Sequence, residues 1–243
     1  MMQNFDDISD GIDLFLDDCS SLLILGIGND IRGDDGLGPY IINQLSILKE
    51  SLLNQSNLDL TDISQVKNGV ENQLFDDDFN INSDNDSIDD SCDNVNDINT
   101  GNTPLHNSVN SYINELNIDV NESLVSKLNN LFLINGGSVP ENFTGLIKKY
   151  DPSHIIIIDA SLMNKEAGDI SIVNKENISN ISISTHSMSL AYLIKYLELE
   201  KDFNTLFIGI EPEIMDLSFE LSDKIKYSSD ALVKLLFSKI IEY

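Results

Sequence analysis

A short apolar run followed at once by a glycine- and aspartate-rich turn constrains the fold that this chain can adopt. The stretch is Leu22-Leu23-Ile24-Leu25-Gly26-Ile27-Gly28-Asn29-Asp30-Ile31-Arg32-Gly33-Asp34-Asp35-Gly36-Leu37-Gly38-Pro39. Its apolar residues predict a strand that is buried on both faces, and Gly38-Pro39 predicts the start of a helix. Carboxylates in such a turn lie at the carboxyl end of a strand, where open α/β sheets bind ligands.

The adjacent aspartates of this turn allow a structural role as well as a chemical one. We expect Asp34 to cap the helix that follows, because a side-chain oxygen there accepts from a free backbone N–H group. The spacing leaves Asp35 open to either role. A nucleotide-binding α/β domain is disfavoured, since Ile31 stands where a dinucleotide fingerprint needs its third glycine and the turn is acidic.

Two further segments end in a residue that can ligate a metal. Ile155–Ile158 leads into Asp159, and the segment 182–185 leads into His186, just before a helical pattern over 187–199. Asp159 could instead cap a short turn, and a lone histidine such as His186 is more often a surface residue. If the strands are parallel, Asp35, Asp159 and His186 converge on one edge, as a borderline divalent metal requires.

The other two histidines are weaker candidates for a site. His106 lies in a low-complexity segment, and His154 stands at the start of a predicted strand, at the end opposite to the carboxyl edge. We therefore do not expect either of them to take part in the predicted metal site.

Strands alternate with helices through most of the chain. Strands are predicted at 22–28, 131–134, 155–158, 169–173 and 206–210. Apolar periodicity predicts a C-terminal helix that contains Ala231, Leu232, Leu235, Leu236 and Ile240. This order predicts one three-layer α/β/α domain over 20–243 with a mostly parallel, twisted central sheet. Residues 1–19 form either an acidic arm or a short peripheral helix.

The domain is interrupted by a segment of different composition at 53–118. It is rich in Asn, Asp and Ser, and between Asp76 and Asp97 it carries nine aspartates and no Lys or Arg. Such a segment buries too little apolar surface to offset the entropy lost on ordering its backbone, so we expect a disordered insertion.

The net charge of −27 comes from 41 acidic and 14 basic residues. A chain with this charge repels polyphosphates, so a nucleic-acid partner is not expected. The N-terminal residues do not resemble a signal peptide, and no apolar run approaches the roughly 20 residues that span a bilayer. With only Cys19 and Cys92 present, we expect a cytoplasmic protein in a reducing compartment without membrane insertion.

Taken together, the motifs resemble those of the [NiFe]-hydrogenase maturation endopeptidases, most closely the hydrogenase-3 type. The resemblance covers most of 20–52 and 129–243. Its motifs follow the family's order: Gly28-Asn29 with Gly33-Asp34-Asp35-Gly36-Leu37-Gly38-Pro39, then Asn135-Gly136-Gly137-Ser138-Val139-Pro140-Glu141-Asn142, Ile158-Asp159-Ala160, Thr185-His186-Ser187-Met188-Ser189-Leu190 and Gly209-Ile210-Glu211-Pro212.

The resemblance implies a specific activity. Members remove the C-terminal extension of a hydrogenase large-subunit precursor after nickel insertion, and they are often grouped with aspartic-type endopeptidases. Their metal-contacting positions fall on Asp35, Asp159 and His186. It further implies that nickel is carried by the precursor. We expect Zn²⁺ or Cd²⁺ to substitute in the free protein, and we expect the protein to be a monomer.

One departure from the family leaves alternatives open. Many members have Asp where this chain has Asn135, and an amide cannot act as a base. A nickel-dependent checkpoint protein that binds the precursor without cutting it is therefore an alternative. Peptidyl-tRNA hydrolase-like enzymes share the general architecture, but the negative charge opposes a tRNA substrate. The insertion and the N-terminal arm have no counterpart in compact members of the family.

Overall fold

The centre of the molecule is a five-stranded sheet in a computed structural model that describes residues 5–65, 113, 118, 120–174, 193–197, 199, 201 and 203–243. The strands are β1 (Leu22–Ile27), β2 (Leu131–Gly137), β3 (His154–Ala160), β4 (Ile170–Asn174) and β5 (Asn204–Ile210). They lie in the order β2-β1-β3-β5-β4. All neighbouring pairs are parallel except β4 with β5, so the predicted mostly parallel sheet is confirmed.

Helices cover both faces of this sheet. They are α1 (Phe5–Leu16), α2 (Leu37–Gln65), α3 (Glu122–Asn129), α4 (Thr144–Tyr150) and α5 (Asp223–Glu242), with 3₁₀ turns at Gly33–Gly36 and Pro140–Phe143 and a helical stretch at 193–197. Buried residues of α1, α2, α3 and α5 share one core with one face of the sheet, whereas α4 and 193–197 pack on the other face. The predicted three-layer α/β/α architecture is confirmed.

The two central strands explain why the apolar runs are continuous. Every residue of β1 and of β3 is buried. Along β1, Leu22 and Ile24 point into one core, while Leu23 and Leu25 point into the other. A strand that is covered on both faces has no exposed face for polar residues, which is the pattern of a parallel sheet between two helical layers.

Several element boundaries differ from the prediction. Helix α2 continues to Gln65, so residues 53–65 are helical, whereas the sequence predicts disorder from residue 53 onward. Residues 66–112 lie outside the described residues. The predicted C-terminal helix is confirmed as α5, which begins at Asp223, eight residues before Ala231. Of the helix predicted over 187–199, the structure describes only 193–197 and 199.

The N-terminal segment is a helix rather than an extended arm. Ile8, Ile12 and Leu16 of α1 are almost fully buried in the main core. Their spacing of four residues places them on one face of the helix, while Leu14 on another face is 80% exposed. Among the residues that the structure describes, no helix is long and apolar enough to cross a membrane.

Candidate functional site

Asp159 lies at the carboxyl edge of the sheet, as predicted. It is the penultimate residue of β3, which lies between β1 and β5 in the middle of the sheet. The side chain is fully buried. A carboxylate in this position is costly to desolvate, and hydrogen bonds or a cation offset that cost.

Asp35 reaches the same edge because the 3₁₀ turn Gly33–Gly36 folds back onto the end of β1. The Asn29 amide donates to the Asp35 carbonyl at 3.1 Å. Gly28 makes this approach possible: its φ is +141°, and a Cβ at this residue would lie 1.7 Å from the Asp35 carbonyl oxygen. A side chain at residue 28 would push the turn, and Asp35 with it, away from the strand.

A second close approach fixes the helix behind the turn. A Cβ at Gly38, in the first turn of α2, would lie 2.1 Å from the Ile27 carbonyl oxygen. The glycine therefore lets the start of α2 lie directly against the end of β1. These contacts give a physical reason for the glycine spacing of the motif, which the sequence alone shows only as a pattern.

The turn that carries Asp35 contacts β3, the strand that carries Asp159. The structure thus brings both predicted aspartates to one edge, and both side chains are fully buried. Arg32 places a cation near this edge, with 3.9 Å between its Nη1 and Asp35 Oδ2, and its side chain is 45% exposed. Two buried carboxylates at one edge favour a cation, so the donor chemistry suits a divalent metal.

The third predicted ligand, His186, lies outside the described residues, as does His106. Within the part of the chain that the structure describes, no group of three or more His, Cys, Asp or Glu side chains is arranged to hold a metal. The contribution of His186 therefore stays a prediction.

Asp34 does not cap α2, and the prediction for this residue is wrong. Its buried carboxylate reaches across the molecule to the segment 211–222. Oδ2 accepts from the amides of Glu213 at 2.9 Å and Ile214 at 2.7 Å and from the Ser222 hydroxyl at 3.0 Å. Oδ1 accepts from the Ser222 amide at 2.7 Å. Asp34 thus ties the segment before α5 to the turn that carries Asp35.

A cavity of about 830 Å³ opens beside this edge. Gly36, Asn135 and Phe219 contribute to its wall. Asn135, which replaces the aspartate of many family members, is exposed, and its Oδ1 accepts from the Gly137 amide at 3.0 Å. The amide therefore holds the turn at the end of β2, a role that either Asn or Asp can perform.

Glu211 holds the segment after β3 in place, a role that the sequence did not reveal. Its Oε2 accepts from the backbone amides of Met163 at 2.5 Å and Lys165 at 3.2 Å. The carboxylate is buried and orders the segment that leaves β3 just after Asp159. The motif Gly209–Pro212 signalled that this position matters, but not which backbone groups it binds.

His154 lies at the opposite edge of the sheet, as predicted. Its Nδ1 is 2.9 Å from Ser153 Oγ, and its Nε2 is 3.0 Å from Asp18 Oδ1 and 2.9 Å from Asn204 Nδ2. Burial lowers the pKa of His154, although the Asp18 carboxylate opposes this shift. Phe15 packs edge-on against the ring with 4.9 Å between centroids, so the cluster fastens α1 to the sheet.

Comparison with known proteins identifies the family of this chain. The HycI hydrogenase maturation protease family model matches residues 118–239. A candidate hydrogenase maturation protease of Methanocaldococcus jannaschii is 28% identical over 93% of this chain and 92% of its own length. The hydrogenase 3 maturation protease of Escherichia coli is 32% identical over 44% of this chain and 69% of its own length.

A solved structure supports the same fold. The crystal structure of a [NiFe] hydrogenase maturation protease HycI from Thermococcus kodakarensis superposes with a TM-score of 0.57 at 19% identity, covering 96% of this chain and 99% of that one. The five-stranded sheet between two helical layers defines a three-layer α/β/α domain of the maturation-protease kind. The chain belongs to the hydrogenase maturation protease family, a family of peptidases.

Proposed function

We propose that this protein removes the C-terminal extension of a [NiFe]-hydrogenase large-subunit precursor after nickel has been inserted. The observation that carries the proposal is the burial of Asp35 and Asp159 at one edge of the sheet, in a chain that belongs to the family. The nickel ion belongs to the precursor and is part of the substrate. The reaction adds water across one peptide bond and releases the C-terminal peptide.

The proposed contacts to nickel come from three side chains. Asp35 and Asp159 offer carboxylate oxygens, and His186 offers an imidazole nitrogen, a mixed set that suits a borderline cation such as Ni²⁺. Asn135 at the end of β2 is exposed and lines the cavity beside the edge that carries the two aspartates, so a bound precursor can reach it. In this proposal the carboxylates recognise the loaded precursor and position its scissile bond, and the protein is a monomer in the cytoplasm.

The test is processing of nickel-loaded precursor, followed by intact-mass analysis. Asp35→Asn and Asp159→Asn keep side-chain size but remove a charge, and His186→Ala removes the imidazole. We expect each variant to lose release of the C-terminal peptide, with circular dichroism confirming that it is folded. Asp17→Asn is the matched control, because Asp17 is exposed just beyond α1 and outside the candidate site.

The outcomes separate the proposal from its alternative. Normal release of the peptide by folded Asp35→Asn would refute the assignment of this carboxylate to the nickel site. A wild-type protein that binds the loaded precursor but leaves its mass unchanged would instead be a checkpoint protein. Asn135→Asp, which introduces the residue of many family members, should preserve processing.

A further inference from the structure

The segment 211–222 holds large apolar side chains toward solvent beside the candidate site. Leu217 and Phe219 are 79% and 81% exposed, and Ile214 is 46% exposed. Ile31, which contacts this segment, is 44% exposed. Single exposed apolar residues are ordinary on protein surfaces, but a group of four in adjoining segments is typical of an interaction surface. We call Ile31, Ile214, Leu217 and Phe219 the apolar lip.

Backbone hydrogen bonds fix the lip in place. The Gly33 amide donates to the Ser218 carbonyl at 2.8 Å, and the Ser218 amide donates to the Ile31 carbonyl at 3.2 Å. The Asp34 amide donates to the Ile214 carbonyl at 2.9 Å, in addition to the bonds that its carboxylate accepts. A segment anchored at both ends and in its middle presents its apolar side chains as a preformed surface, which reduces the entropy lost on binding.

The apolar lip is continuous with the candidate site. Phe219 lines the same cavity as Gly36, the residue after Asp35, and as Asn135 at the end of β2. A polypeptide bound on the lip therefore has a path along the cavity to the edge where Asp35 and Asp159 lie. An extended chain suits this path better than a folded domain, because the cavity has a volume of only about 830 Å³.

The charge around the lip points to the chemistry of its partner. Three acidic residues line the cavity, Asp30, Glu220 and Asp223, against one basic residue, Lys226. Electrostatic complementarity favours a partner that carries Lys or Arg beside its apolar residues. A second copy of this chain, with its net charge of −27, lacks that complementarity.

We propose that the apolar lip docks an extended, basic and apolar segment of the precursor and so determines which precursor is processed. This inference rests on the proposed function and deepens it. The lip acts on binding before peptide-bond hydrolysis, so its removal weakens the complex without changing the groups that contact nickel.

The experiment compares Leu217→Ser/Phe219→Ser with the wild-type protein. Processing of nickel-loaded precursor is measured over a range of precursor concentrations, and precursor binding is measured separately by biolayer interferometry. We expect KM and Kd to rise about tenfold or more, because two apolar side chains that the bound precursor would bury are lost. The value of kcat should stay nearly unchanged. The control is Leu14→Ser, because Leu14 is equally exposed (80%) on α1, and it should change neither constant.

A charge variant tests the second part of the proposal. Glu220→Gln removes a carboxylate that lines the cavity. It should raise Kd and reduce the loss of affinity that added salt causes in the wild-type protein. An affinity that is insensitive to salt in both proteins would overturn the basic character assigned to the docked segment.

The outcomes keep docking and cleavage apart. If the wild-type protein cleaves the precursor and the lip variant has unchanged KM and Kd, docking is wrong and the proposed function stands. If the wild-type protein does not cleave the precursor, the proposed function is wrong, and binding alone tests docking. A Kd higher for the lip variant than for Leu14→Ser then supports docking, and equal values refute it. If the wild-type protein is a dimer, and the lip variant is a monomer that binds the precursor with unchanged affinity, the lip is a self-association surface and the proposal is overturned.

Discussion

Replacing Asp34 by Asn should destabilise the protein without touching the proposed nickel contacts. The carboxylate accepts four hydrogen bonds, three on Oδ2 and one on Oδ1. A carboxamide has one acceptor oxygen. Its best orientation places that oxygen at the Oδ2 position and turns its NH₂ group against the Ser222 amide, where two donors then face each other.

The cost can be estimated from these four bonds. Losing one charge-assisted hydrogen bond costs about 2 kcal/mol, and making the other three neutral costs about 0.5 kcal/mol each, so the total is about 3.5 kcal/mol. For a domain of this size, that corresponds to a fall in Tm of about 7–14 °C. The drop should be larger in Asp34→Ala, which leaves every donor without its acceptor.

Urea unfolding and differential scanning calorimetry measure the effect. Asp216→Asn is the control, since Asp216 is exposed on the same segment, and it should change the free energy of unfolding by no more than about 0.5 kcal/mol. An Asp34→Asn variant as stable as that control would show that the hydrogen bonds to Glu213, Ile214 and Ser222 do not hold this segment.

Three further predictions concern other parts of the fold. Gly28→Ala should prevent folding or greatly lower Tm in calorimetry, because its Cβ would collide with the Asp35 carbonyl; a Tm equal to that of the wild type would contradict this. Burial lowers the pKa of His154 in the folded state. As pH falls through about 6.5, the unfolded chain therefore binds a proton before the folded protein does, so the free energy of unfolding should decrease. Urea midpoints of His154→Asn should lack this decrease, and a pH profile identical to that of the wild type would refute the assignment. Replacing 66–112 by a short linker should leave the domain folded by circular dichroism, and loss of the folded signal would show that this segment belongs to the core.

The sheet could be predicted from the sequence because its signals are local. Continuous apolar runs such as Ile155–Ile158 are long enough to fill a strand, and each is followed by a turn. Helix ends were less predictable. The first turns of α5 contain mostly polar residues and bury only Ile225 and Ser229. Two buried residues give no periodicity that separates a helix from a loop.

The site could be predicted only where its residues follow strands. Asp35 and Asp159 were found because a strand end is visible in the sequence. The roles of Asp34 and Glu211 were not, since their hydrogen-bond partners depend on how distant segments meet in the fold. For Asp34 the partners lie 179 to 188 residues away along the chain. A local preference for helix capping therefore gave the wrong role for this carboxylate.

The length of α2 determines where the acidic segment that follows it is attached to the domain. The helix starts at the carboxyl edge of the sheet, yet Lys49 Nζ already donates to the carbonyl of Leu131, the first residue of β2, at 2.7 Å. The remaining 16 residues to Gln65 extend about 24 Å further, beyond the amino edge. Helix α3, which leads back into β2, also lies at that edge. Both ends of the acidic segment are thus attached to the molecule on the side away from Asp35 and Asp159, a permissive position where length and composition can vary while the geometry of the cleft stays constant.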